Sequence, residues 1–347
     1  MSTHIHREIT DQPHILRYLL TEGMETARTI ANAIRRYDPT FVMIVARGTS
    51  DNAGRYAQYL LGIRAGLPVG LAAPSIHTLY EAAPRMNRAL VIGISQSGQS
   101  EDVRRVIADA REDGALTVSI TNAPGSPIAD AAEYHLPIYA GEEISIAATK
   151  SYTAQLTAIA MLTTALVDDT EMFAVLDQLP TYAAQTLDLA ESAGVGVWAE
   201  RYRYMRDFAT LGRGLNFCTA FEISLKIKEL CYVTGVEYSE ADFRHGPIAL
   251  VQPGYPVILI APNGKPLSGM VDLLGKLKEK GAEVIVISNE EAALSFATKR
   301  LPIPSLPEWV SPICAVIPGQ LLAMNLALAK GHNVDKPIGL TKVTVTI

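Results

Sequence analysis

One stretch of this chain, Leu90 to Asn122, lies without a gap over another, Val257 to Asn289. Gly114-Ala115 falls on Gly281-Ala282, and Ile120-Thr121-Asn122 falls on Ile287-Ser288-Asn289. Each copy runs from a short apolar segment through a loop and a helix of 3.6-residue period to a second apolar segment. What repeats is therefore a β-α-β unit. Arg47-Gly48 and Arg213-Gly214, each just after an apolar run, extend the correspondence. Such a repeat predicts a duplicated α/β protein, two tandem domains, each a doubly wound parallel sheet between helix layers. In the first half, strands are expected at Phe41–Ala46, Ala89–Ile94, Leu116–Ile120 and His135–Ile138, with helices at Asn52–Ile63 and Glu101–Arg111. In the second, strands are expected at Phe208–Leu211, Val257–Ile260, Val284–Ile287 and Leu301–Ile303, with helices at Thr219–Val233 and Leu267–Lys280.

A chain of 347 residues suits this pair, and 48% hydrophobic residues against 19% charged ones allow a sizeable core. The expected division is an N-terminal helical segment over 1–40, a first domain over 41–167, a helical linker over 168–204 and a second domain over 205–347. A net charge of −6 argues against nucleic acid or an anionic membrane as partner. Cys218, Cys231 and Cys314 form no CxxC pair and read as buried apolar side chains in a reducing compartment. Met1 to Asp11 has no apolar signal-like core, which fits a cytoplasmic protein. The apolar stretch Leu156–Val167 falls short of the about 20 residues that span a bilayer and predicts a buried helix instead.

The duplication also says where to look for chemistry. Open α/β sheets bind ligands beyond the carboxyl ends of their strands. Two hydroxyl-rich loops leave the first domain there, Gly48-Thr49-Ser50 and Ser95-Gln96-Ser97-Gly98-Gln99-Ser100. Each opens a helix, whose free N–H groups and positive dipole end favour an anion. The second copy of the longer loop is Pro262-Asn263-Gly264-Lys265-Pro266-Leu267, without hydroxyls. A phosphate site is thus expected in the first domain and not in the second. Neither GxxxxGK[ST] nor GxGxxG follows the first strand, so the site is not a common nucleotide cradle. Helix capping by Ser and Thr is the plain alternative for either loop alone. His4 and His6 lack a carboxylate or Cys cluster, and no metal or cofactor is expected.

Taken in order, Arg47-Gly48-Thr49-Ser50, the Ser95–Ser100 loop, Ala147-Ala148-Thr149-Lys150-Ser151, Leu225-Lys226-Ile227-Lys228-Glu229, His245-Gly246-Pro247 and Leu340-Thr341-Lys342 resemble the sugar isomerase (SIS) family. The resemblance covers nearly the whole chain, and is to the isomerase half of glucosamine-6-phosphate synthases. It implies two SIS domains and a hexosamine or hexose 6-phosphate ligand. It implies that Gly48, Thr49, Ser50, Ser95, Gln96, Ser97, Ser100 and Ala148 bind substrate. It implies Glu229 as the base between C1 and C2, His245 as the ring-opening group donated across a homodimer interface, Lys226 as a substrate contact, and Lys342 as a group near the carbonyl able to form an imine. Aldose–ketose chemistry calls independently for a base, an acid at the ring oxygen and a cation for the enediolate. Read without the resemblance, Glu229, His245 and Lys342 pass for ordinary surface and loop residues.

Some features depart from the synthases. No cysteine precedes Cys218 and the first strand is reached by Phe41, so no glutaminase activity is expected of these residues. The ending Lys342-Val343-Thr344-Val345-Thr346-Ile347, Gly141-Glu142-Glu143, Ala148 in place of Ser and Arg47 in place of Cys resemble stand-alone SIS-type glucosamine-6-phosphate deaminases. The expected reaction is glucosamine 6-phosphate to fructose 6-phosphate and ammonia. The alternatives are another amino-sugar or fructosamine phosphate as substrate, or a SIS sensor that binds without turnover.

Overall fold

The computed structural model describes residues 3–342. Among these residues ten strands form two sheets, and every pairing in both is parallel. The first holds β1 (Phe41–Val45), β2 (Val69–Leu71), β3 (Ala89–Ser95), β4 (Leu116–Thr121) and β5 (Tyr134–Pro137) in the order β2-β1-β3-β4-β5. The second holds β6 (Asp207–Gly212), β7 (Thr234–Ser239), β8 (Pro256–Ile260), β9 (Glu283–Ser288) and β10 (Lys299–Pro302) in the order β7-β6-β8-β9-β10. With β6 to β10 set over β1 to β5, the two orders are the same. The repeat in the sequence is thus a repeat in topology: β3 falls on β8, β4 on β9, and the Glu101–Glu112 helix on Leu267–Glu279.

The sheets belong to two compact units. Among the described residues, one comprises 14–143, 150–179 and 341–342, the other 3–13, 144–149 and 180–340. In the first, Val45, Val91, Val103, Val106, Ile107 and Ile128 form a core between the sheet and the Glu101–Glu112 helix. In the second, Leu211, Val257, Leu259, Leu273, Leu277 and Val286 do the same against the Leu267–Glu279 helix. Each such side chain contributes about 1.5–3 kcal/mol by leaving water.

Eight of these strands are those expected from sequence, to within two residues at either end. The other two, β2 and β7, lie at sheet edges, where half-exposed strands carry Gly70 or Gly235 and lack a continuous apolar run. The Thr49–Ala65 helix starts before the expected Asn52, because Gly48 at φ +53° turns the chain directly into it. Thr49 and Ser50 therefore stand in the first helical turn and not in a loop. The stretch 168–204 is helical, with Thr170–Ser192, Val195–Trp198 and the 3-10 segment Ala199–Tyr204.

Leu156–Val167 is part of a buried helix, Lys150–Val167, as its length suggested. A second apolar helix escaped the sequence analysis. The segment Glu308–Ala329 is long and apolar enough to cross a membrane, yet 83% of its most apolar window is buried in the protein. It is apolar on all faces, so no stripe marks it in the sequence. It packs on the Phe217–Cys231 helix and is the central helix of its unit. All three cysteines are buried thiols outside any disulfide, and burial pushes the Cys231 and Cys314 thiols up to about 12.

Candidate functional site

In a parallel sheet of order 2-1-3-4-5 the connections leave β1 and β3 in opposite directions, and the crevice between their carboxyl ends is the place for a ligand. The Arg47–Ser50 and Gln96–Ser100 segments leave the first sheet there. The second segment is tightly shaped. Ser95 Oγ accepts the Gly98 N–H at 3.1 Å, and Ser97 Oγ accepts the Gln99 N–H at 3.3 Å. Gly98 adopts φ +67°, and a Cβ there would collide with the Ser126 hydroxyl. Ser50 is buried and accepts a hydrogen bond from Gln155 Nε2 at 2.9 Å. Thr49, Gln96, Ser97 and Ser100 are half-buried, and Gly48 is exposed. The fold thus brings Gly48, Thr49, Ser50, Ser95, Gln96, Ser97 and Ser100 to one sheet edge, at the starts of the Thr49–Ala65 and Glu101–Glu112 helices.

A carboxylate absent from the sequence analysis lies beneath these loops. Asp102 is 1% exposed and accepts from Arg47 Nε at 2.6 Å, from the Ser100 hydroxyl at 2.7 Å and from the Val103 N–H at 2.9 Å. Burial pushes the nearby Asp51 carboxyl up, against the pull of Arg55 and Arg47.

Lys342 belongs to the same unit. Its ammonium meets Glu143 Oε2 at 2.9 Å, and the Glu143 side chain is fully buried. Ser151 fixes that carboxylate through its N–H at 3.1 Å and its hydroxyl at 2.8 Å. The rest of the tail, Val343–Ile347, lies outside the described residues.

The remaining candidates belong to the unit of the second sheet. Lys226, Glu229 and Glu222 share one face of the Phe217–Cys231 helix by i,i+3 and i,i+4 spacing. The Lys226 ammonium lies 2.5 Å from Glu229 and 3.5 Å from Glu222. Lys226 and Glu222 are buried, whereas Glu229 is 23% exposed and is the open end of the row. His245 is exposed at the end of the Glu240–Arg244 helix, and its imidazole makes no hydrogen bond among the described residues. Buried Glu240 pairs with both Arg213 and Arg244, which fixes the turn before it. Ala148 is half-buried in the 144–149 segment, where Gln320 Nε2 donates to the Thr149 carbonyl at 3.3 Å. Glu222 could have been noticed from its four-residue spacing to Lys226. Asp102 could have been noticed as an acid in a first helical turn.

The crevice between β6 and β8 is filled by the chain itself. Glu308 Oε2 accepts the Lys265 N–H at 3.0 Å, and a Cβ on Gly264, at φ +135°, would run into that carboxyl. Asn263 and Asn289 pair at 2.8 Å, and the cavity left is about 10 Å³, the size of one water.

Two sheets of identical parallel order, each with its helix layers, define a duplicated α/β protein. The chain belongs to the SIS domain family, which matches residues 37–165 and 206–330. It is 33% identical to the glutamine–fructose-6-phosphate aminotransferase (isomerizing) of Pyrococcus horikoshii, over 98% of this chain and 57% of that protein. The Aquifex aeolicus enzyme of the same name gives 34%, with the same coverage. The chain thus spans little more than half the length of these curated relatives. Among solved structures, the C-terminal domain of glucosamine-fructose-6-phosphate aminotransferase from Francisella tularensis matches at TM-score 0.88 and 25% identity, over 97% of this chain and 99% of that one. Glucosamine-6-phosphate deaminase from Thermotoga maritima shares the fold at TM-score 0.82 and 22% identity, over 99% of this chain and all (100%) of that one.

Proposed function

We propose that this protein binds a hexosamine 6-phosphate and converts glucosamine 6-phosphate to fructose 6-phosphate and ammonia. The observation that carries the phosphate part is the gathering of Ser95, Gln96, Ser97, Ser100, Thr49 and Ser50 at one sheet edge, at the first switch point and at two helix starts. Backbone N–H groups and hydroxyls there suit a phosphate monoester without a metal. The sequence features of Arg47, Ala148, Gly141-Glu142-Glu143 and the tail favour the deaminase branch of the family.

The chemistry then runs as follows. His245, from a second copy of the chain, assists opening of the pyranose, giving the C1 aldehyde. Glu229 removes the C2 proton and returns it to C1, while the electron pair moves through an enolamine to leave a C2 imine and a C1 hydroxyl. Lys226, in contact with Glu229, holds that carboxylate in place and offers a cation to the developing oxyanion. Water adds to the imine carbon and ammonia departs, leaving the C2 ketone. The resemblance to the family implies Lys342 at this carbon. For it to form an imine of its own, its ammonium must give up a proton, and Glu143 is the carboxylate in contact to take it.

The test is ammonium release from a panel of hexosamine 6-phosphates, with EDTA present and with or without glutamine. Release from glucosamine 6-phosphate, indifferent to both additions, is expected. Binding without release from any member would replace this reading by a sensor. Sharing of sites between copies is tested by mixing Glu229→Gln with His245→Ala. Partial recovery of activity is expected from hybrid sites, and a fully active monomer in sedimentation would contradict it.

A further inference from the structure

A phosphate dianion entering the first crevice meets a negative charge that is already there. Asp102 is buried at the start of the Glu101–Glu112 helix, and its two oxygens serve both loops. Oδ2 takes Arg47 through Nε and Nη2, both at 2.6 Å, and Arg47 directly precedes Gly48. Oδ1 takes the Ser100 hydroxyl at 2.7 Å, at the end of the other loop. The Ser100 proton is therefore committed to Asp102, and its oxygen presents lone pairs. Ser100 donates to a phosphate only after turning away from Asp102. The Arg47 side chain is 52% exposed, and the pair engages two of its five N–H donors. Arg55 takes the neighbouring Asp51 at 3.2 Å, while Arg47 contacts Asp102 directly.

We propose that Arg47 is the charge-compensating residue of the phosphate cradle, a specificity-determining group for phosphorylated over neutral sugars. Clamped on Asp102, it neutralises the buried carboxylate below the two loops and leaves donors for the incoming anion. Without it, the buried carboxylate keeps its negative charge and loses the cation that offsets it, which repels phosphate. A lysine keeps the charge but loses the planar fork. The inference rests on the phosphate reading of the crevice and is independent of which sugar reacts.

The test is calorimetric binding of inorganic phosphate and of glucosamine 6-phosphate to the full chain. Arg47→Ala is expected to weaken both by about 10- to 100-fold, the effect of losing a charge-assisted contact. Adding Asp102→Asn to Arg47→Ala should then recover most of that loss. A mere tether between loops is broken equally in both variants, so a double variant no better than the single one would overturn the proposal, as would wild-type binding by Arg47→Ala. Should Arg47→Ala not fold, Arg47→Lys is expected to bind far better than Arg47→Gln, and equal binding by the two would overturn it. A wild-type chain that binds neither ligand refutes the phosphate reading together with this proposal. Binding without ammonium release refutes only the deaminase reading and leaves the Arg47 comparison to be made.

Discussion

The two sheets carry the same strand order and the same β-α-β spacing, but their crevices differ in what occupies them. Between β1 and β3 the loops bring hydroxyls and an open edge. Between β6 and β8, Glu308 from the segment before the apolar helix accepts the Lys265 N–H, and two asparagines close the turn. A helix start attracts an anion wherever its N–H groups are free. In the second domain the chain supplies its own carboxylate, and the place is taken. The fold alone therefore does not make a site; what decides is whether the loops leave the donors free.

If that contrast is functional, damage to the first half and to the Lys226 row should cost activity, and damage to the filled crevice should cost only stability. The largest effect is expected for Glu229→Gln, a loss of about 10²–10⁴ in turnover with phosphate binding retained. Steady-state kinetics beside calorimetry separates the two, and near wild-type turnover would remove Glu229 as base. Ser97→Ala comes next. Loss of a donor to a charged acceptor is worth about 1.5–3 kcal/mol and should appear in KM more than in kcat. An unchanged KM would deny the crevice its role.

Glu308→Ala sharpens the comparison from the other side. It leaves the Lys265 N–H without its acceptor and should lower stability by about 1 kcal/mol in denaturant titration, with kinetics unchanged. A large fall in kcat/KM would show that the two crevices do not divide labour in this way.

The smallest effect concerns His135 on β5, which contacts Thr121 at 2.9 Å. Burial pushes its imidazole below the usual range, while Thr121 and Asp130 pull the other way. The unfolded chain then binds more protons. This contribution to stability is complete above the unfolded value of about 6.5 and is lost as pH falls below it toward the lower folded value. His135→Gln should therefore flatten the fall of Tm on acidification in that window, and an unaltered slope would assign the acid sensitivity elsewhere.

The parts legible in the sequence were those written as local patterns. Leu90–Asn122 over Val257–Asn289 foretold two like sheets, because central parallel strands are continuous apolar runs and their helices carry a stripe. Edge strands β2 and β7 carry neither signal, and the Ser311–Ala329 helix is apolar all round, so its period is invisible. The helix start at Gly48–Ser50 and the Ser95–Ser100 loop were readable from their hydroxyls. The carboxylates behind them were not. Asp102, Glu143 and Glu222 look like solvated charges until their partners Arg47, Lys342 and Lys226 are placed, by tertiary contacts for the first two.

The central claim is that phosphate settles in the first crevice and not in the second. A crystal structure of the full chain with fructose 6-phosphate tests it most directly. A phosphate is expected within hydrogen-bond distance of the Ser95–Ser100 loop and the start of the Thr49–Ala65 helix, with Glu308 still on the Lys265 N–H. A phosphate found instead at Asn263–Lys265, or a fully occupied ligand away from both crevices, would contradict it.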